Sequence, residues 1–66
     1  MKNRLKLLRV ERRWTQEQLG QALGVSRQAV IAVETERHDP SLDLAYRIAA
    51  AFERPVEEIF ENAHAT

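Results

Sequence analysis

A chain of 66 residues makes one domain, and at that size only about 60% of the unfolded surface is buried on folding, so the core is thin. The absence of cysteine excludes disulfides, thiol nucleophiles and Cys-based zinc sites, and fits a reducing cytoplasm. Ten basic and ten acidic side chains cancel, which argues against a generic polyanion binder. Residues 1–38 nevertheless hold eight Lys or Arg against four Glu, a balance of +4, and residues 39–66 hold two Arg against six acidic residues, a balance of −4. Such a dipolar domain can turn its N-terminal side toward an anion.

The opening "MKNRLKLLRVERRW" has basic residues but no uninterrupted apolar run, so neither a signal peptide nor a membrane span is expected, and we place the protein in the cytoplasm. Leu5 and Leu8 are three apart, and residues 3–13 suit an amphipathic helix with a basic outer side. Thr15 reads as the N-cap of a second helix starting at Gln16, and Gln18 completes a capping box. Trp14, just before the cap, can staple against Leu19. Leu19 and Leu23 give this helix one buried face, and Gly24 supplies the left-handed residue that ends it. Val25 packs back, Ser26 caps the next helix, and Arg27 to Glu34 form a third helix with Val30 and Val33 inward.

Gly20, the other of the two glycines, lies inside helix two, where it costs about 1 kcal/mol relative to Ala. We expect it to permit a close crossing of helix three. Counting Gln16 as the first position, a DNA-binding helix-turn-helix wants a small residue fifth, glycine ninth, and apolar residues fourth, eighth, tenth, fifteenth and eighteenth. Gly20, Gly24, Leu19, Leu23, Val25, Val30 and Val33 meet every requirement. Beyond the loop "TERHDP", Ser41 caps a fourth helix with Leu44, Ile48 and Ala51 or Phe52 as its core stripe, and Asp43 lies favourably in its first turn. Pro55 suits the first turn of a short fifth helix in which Ile59 and Phe60 close the core. Glu57 and Glu58 sit at its positive end and need no catalytic reading. The tail "ENAHAT" carries no assignment of its own.

Through "LKLLR", "TQEQLGQALGVSRQAV", Glu34, "PSLDLAYRIAAAF" and "PVEEIF", the chain resembles the lambda-repressor and Cro-like (XRE-type) helix-turn-helix regulators, and most of all the short stand-alone repressors of the cytolysin-operon type. The resemblance implies an all-α, compact five-helix domain over residues 1–66, with its helix-turn-helix at 16–34 and a small terminal β element left open. It further implies a homodimer on operator DNA. The glutamine matching Gln16 anchors a phosphate in that family, and the pair matching Arg9 and Glu34 joins helix one to the end of helix three. The position of Glu36 is commonly glycine there, which suggests a positive φ.

The N-terminus of helix three enters the major groove in helix-turn-helix docking, so Ser26, Arg27 and Gln28 are the expected base readers. Arg pairs with O6 and N7 of guanine, and Gln with N6 and N7 of adenine. Ala29, Ile31 and Ala32 continue that face with apolar contacts, a thymine methyl among the options. Thr15, Gln16, Thr35, Arg37, Arg12 and Arg13 are the phosphate candidates. Leu7, Ile59 and Phe60 are candidates for the dimer interface, each with core packing as the competing role.

His38 and His64 have no second histidine at ligand spacing, so no metal or cofactor is expected. No nucleophile with a base, phosphate-cradling loop or carboxylate pair supports an enzyme, and a core this small leaves little room for a ligand cavity. Control would then come through concentration, a regulatory protein partner or release by another factor. The competing reading is an antitoxin or other protein-interaction module on the same scaffold. A purely structural helical adaptor, the third reading, predicts no salt-dependent DNA affinity.

Overall fold

Thr15, Ser26 and Ser41 each stand one residue before a helix and accept a backbone N–H from the residue three further on, so side-chain caps start three of the elements. The computed structural model describes residues 1–64. Its helices are α1 Leu5–Glu11, α2 Gln16–Leu23, α3 Arg27–Glu34, α4 Leu42–Phe52 and α5 Val56–Ile59. The capping box at α2 is complete, with the Gln18 side chain accepting the Thr15 N–H at 2.8 Å and Thr15 Oγ1 accepting the Gln18 N–H at 3.0 Å.

The first four helices end alike. In each, a residue with positive φ follows the helix, and two N–H groups fold back onto carbonyls of the last turn, the Schellman arrangement. After α2, Gly24 holds φ 75° while the Val25 N–H reaches the Gly20 carbonyl at 2.9 Å. After α1, α3 and α4, the corresponding residues are Arg13, Glu36 and Glu53, at φ 59°, 63° and 54°. Their following N–H groups, from Trp14, Arg37 and Arg54, donate to Arg9, Ala32 and Ala49 at 3.1, 3.0 and 3.1 Å. Glu36 thus adopts the left-handed conformation despite its Cβ.

Leu5, Leu8, Leu19, Leu23, Val30, Val33, Ala45, Ile48, Phe52, Ile59 and Phe60 form one core to which all five helices contribute or whose last turn they flank. Full burial of a side chain such as Leu19 or Ile48 stabilises the fold by about 1.5–3 kcal/mol. Trp14 packs against this cluster, its ring 5.8 Å from that of Phe52. The α2 and α3 pair is the most extensive helix contact, and α4 packs across α2.

Four local expectations are corrected. Helix α1 is shorter than 3–13, because Asn3 is taken into an antiparallel bridge with Phe60 and Arg13 turns left-handed. Pro55 stands outside α5, as its N-cap, with an extended ψ of 153°. On α4 the buried stripe is Ala45, Ile48 and Phe52, with Leu44 only half-buried. At Gly20, a Cβ would meet the Val25 carbonyl oxygen at 2.8 Å and the Ser26 carbonyl at 3.4 Å, so the close approach is made by the turn and the N-cap of α3 and not by the body of helix three. The open question at the termini resolves to that single bridge, flanked by Arg4 N–H to Ile59 O at 2.8 Å and Glu61 N–H to Lys2 O at 2.9 Å.

Candidate nucleic-acid interface

The short turn Gly24, Val25 and Ser26 sets the N-terminus of α3 beside α2. Ser26, Arg27 and Gln28 are exposed there, while Val30 and Val33 are buried on the opposite side. Ser26 Oγ accepts the Ala29 N–H at 3.1 Å, which leaves its hydroxyl hydrogen available outward. Ala29, Ile31 and Ala32 are half-buried, so they offer narrower contact than the three polar residues at the helix tip.

Thr15 and Gln16 sit at the N-terminus of α2. The capping box satisfies the N–H groups of Thr15 and Gln18, and the remaining first-turn N–H groups, of Gln16 and Glu17, have no place in the helix ladder. Such groups suit an anionic oxygen. Gln16 is half-buried and its Nε2 donates to Glu34 Oε1 at 3.3 Å. Glu34 also accepts Arg9 Nε–H at 2.7 Å and Arg9 Nη2–H at 3.3 Å, and Arg9 Nη1 donates to the Trp14 carbonyl at 2.8 Å. The Arg9 and Glu34 side chains are 12% and 3% exposed, so this pair is shielded from solvent screening.

The other phosphate candidates separate. Arg13 and Arg37 are exposed and without an acidic partner among the described residues. Arg12 is committed elsewhere: its guanidinium lies 5.3 Å from the Trp14 ring centre and 4.8 Å from that of Phe52, and it donates to the Ala51 carbonyl. To reach a phosphate its guanidinium would have to leave these contacts. Thr35 directs its hydroxyl hydrogen to the Ile31 carbonyl at 2.7 Å and keeps only acceptor capacity, so phosphate donation would first require that bond to break. Of the dimer candidates, Ile59 and Phe60 are 1% and 4% exposed and belong to the core, whereas Leu7 is 57% exposed.

Two supporting contacts have no signal in the sequence pattern, because each joins residues far apart along the chain. Asn3 Nδ2 donates to the Val33 carbonyl at 2.9 Å and ties the N-terminus to the last turn of α3. Arg47, on α4, donates to the Leu23 carbonyl at 3.2 Å and caps the end of α2. Two open surface grooves, of about 520 and 760 Å³, lie beside Lys2 and Phe60. Among the described residues there is no group of three or more potential metal ligands and no helix long and apolar enough to cross a membrane.

Capped α2, a glycine-ended turn and an α3 with an exposed polar tip define a DNA-binding helix-turn-helix domain. The chain belongs to the helix-turn-helix family of XRE-type transcriptional regulators, whose model, described as Helix-turn-helix, matches residues 5–59. It is 52% identical over 60 residues to the uncharacterized HTH-type transcriptional regulator MJ0272 of Methanocaldococcus jannaschii, covering 91% of each chain. It is 45% identical over 60 residues to the uncharacterized HTH-type transcriptional regulator YgzD of Bacillus subtilis, again with 91% of each chain covered. Among solved structures, it is similar to the hypothetical transcription factor NHTF from Neisseria, with a TM-score of 0.75 and 33% identity over 82% of this chain and 61% of that one.

Proposed function

We propose that this DNA-binding regulator is a sequence-specific repressor that occupies a pseudo-palindromic operator as a homodimer. The observation that carries the reading is the tip of α3, where Ser26, Arg27 and Gln28 are exposed together above a buried Val30 and Val33. Arg27 can donate twice to a guanine edge, Gln28 can donate to N7 and accept from N6 of adenine, and Ser26 adds a hydroxyl. Ala29, Ile31 and Ala32 line the groove behind them. Gln16, Thr15, Arg13 and Arg37 contact phosphates and fix the register.

Helix α3 has eight residues, and at 1.5 Å per residue it is roughly 12 Å long, enough for about three or four base pairs. One such helix reads too little sequence to select a site in a genome. Two copies related by a two-fold axis, with half-sites about 34 Å apart, double the readout. Where the operator overlaps a promoter, a bound dimer would exclude polymerase, which is how it would repress. We place the protein in the cytoplasm, where the DNA is.

The test is binding to the DNA upstream of the protein's own gene, at two salt concentrations, for wild type and for Arg27→Ala with Gln28→Ala. Tight, salt-sensitive binding that the double substitution removes while the thermal melt is unchanged is the expected result. Equal affinity of the variant and wild type for that DNA would refute readout by the α3 tip.

A further inference from the structure

Glu34 does more than close an ion pair. It is the last residue of α3, and its nearly inaccessible carboxylate takes hydrogen bonds from two other helices. Oε2 accepts from Arg9 on α1, while Oε1 is shared between Arg9 Nη2 and Gln16 Nε2 on α2, each at 3.3 Å. The orientation of the Gln16 amide is fixed chemically, because an amide oxygen turned toward a carboxylate would be repelled.

A primary amide has two N–H donors. With one held by Glu34, the plane of the carboxamide is set and the second N–H remains for an acceptor outside the protein. Gln16 is the first residue of α2, next to first-turn backbone N–H groups that also point outward. An unrestrained glutamine loses most of its rotamer freedom when it engages a ligand. Here that freedom is already reduced in the unliganded chain.

We infer that Glu34, itself held by Arg9, is a positioning residue that presets the Gln16 carboxamide as a donor to a DNA phosphate. One carboxylate thereby links the end of the recognition helix to the phosphate anchor on α2. The inference rests on the DNA-binding reading above, and it assigns Glu34 a part in binding as well as in folding.

The experiment is a double-mutant cycle read by fluorescence anisotropy on a labelled random-sequence duplex, where phosphate contacts dominate affinity. The backgrounds are wild type and Arg9→Met with Glu34→Met, which removes one charge of each sign and leaves the net charge unchanged. In wild type, Gln16→Ala should weaken binding roughly two- to tenfold, the range for one hydrogen bond. The slope of affinity against salt should stay the same, because glutamine is neutral. In the Met background the same substitution should have almost no further effect. Equal losses in the two backgrounds, or no loss in a wild type that does bind the duplex, would overturn the inference. A wild type without salt-dependent affinity for any duplex would instead overturn the DNA-binding reading. If the Met background fails to melt cooperatively, side-chain amide NMR of the wild type decides. One Gln16 amide proton should be shifted and slowly exchanging before DNA is added, and the other should move on addition. Two protons with the shifts of a solvated carboxamide would sink the proposal.

Discussion

Glu53 gives the most direct check on the backbone reasoning. It holds φ 54° at the end of α4, is exposed, and has no side-chain hydrogen bond or ion pair among the described residues. A side chain in the left-handed region costs roughly 1–2 kcal/mol. Glycine removes that cost but loses about 0.5–1 kcal/mol through its freer unfolded chain. Glu53→Gly should therefore stabilise the protein by roughly 0.5–1 kcal/mol, which for a domain of this size raises Tm by about 2–8 °C. The substitution also takes a negative charge away from the C-terminus of α4, which is favourable by itself. Glu53→Ala separates the two effects, since it removes the charge and keeps the Cβ. Thermal melts by circular dichroism at one protein concentration, so that any dimerisation is held constant, provide the comparison. A Tm for Glu53→Gly no higher than that of Glu53→Ala would refute the strain argument, and with it the same expectation at Glu36 and Arg13.

At Gly20 the same substitution logic reverses sign. Gly20→Ala gains about 1 kcal/mol of helix propensity, yet its Cβ would lie 2.8 Å from a backbone oxygen that has no rotamer to yield. Such overpacking costs about 1–3 kcal/mol, so the net is a loss of up to roughly 2 kcal/mol, and a raised midpoint in urea would contradict it. Glu34→Ala leaves the shielded Arg9 guanidinium without its partner and should cost on the order of 3–5 kcal/mol. For a 66-residue chain total stability is roughly 3–10 kcal/mol. The variant should thus melt at far lower temperature than Arg9→Met with Glu34→Met, and an equal melt for the two would show that the orphaned charge is not the cause.

Local chemistry was legible in the sequence where it is decided locally. Thr15 with Gln18, Ser26 and Ser41 are caps because a hydroxyl three residues before a helical N–H has little else to bind, and the structure uses all three. Gly24 is left-handed because it ends α2, and the spacing of Leu19, Leu23, Val30 and Val33 fixes which faces meet. What the sequence could not show depends on contacts between distant residues. Nothing near Arg12 indicates that its guanidinium reaches Phe52 and the Ala51 carbonyl, 39 residues on. Apolar character marks Leu7, Ile59 and Phe60 alike, and only the tertiary packing separates two core residues from one exposed one. A missing Cβ at Gly20 says that something is close without saying what, and the structure shows it to be the turn and the N-cap of α3, Val25 and Ser26.

The separation of charge between the halves of the chain persists in the structure, because Arg9 with Glu34, Asp43 with Arg47 and Glu58 with Arg54 each pair within one half. Of the eight basic side chains in residues 1–38, Arg9 is neutralised by Glu34 and Arg12 is held over two aromatic rings. On the acidic side, Asp43 and Glu58 pair with Arg47 and Arg54 one helical turn away, and Asp39 pairs with the Met1 amine. In the proposed complex Arg27, Arg37 and Arg13 bring charge to the DNA from each copy. The rest of the contact falls to neutral donors: Gln16, Thr15, Ser26, Gln28 and the backbone N–H groups of two helix N-termini. Neutral donors add little long-range attraction and demand close, aligned approach. This places the weight of recognition on the mutual setting of α2 and α3, which the Gly20 approach, the Arg47 cap and the Glu34 carboxylate all hold.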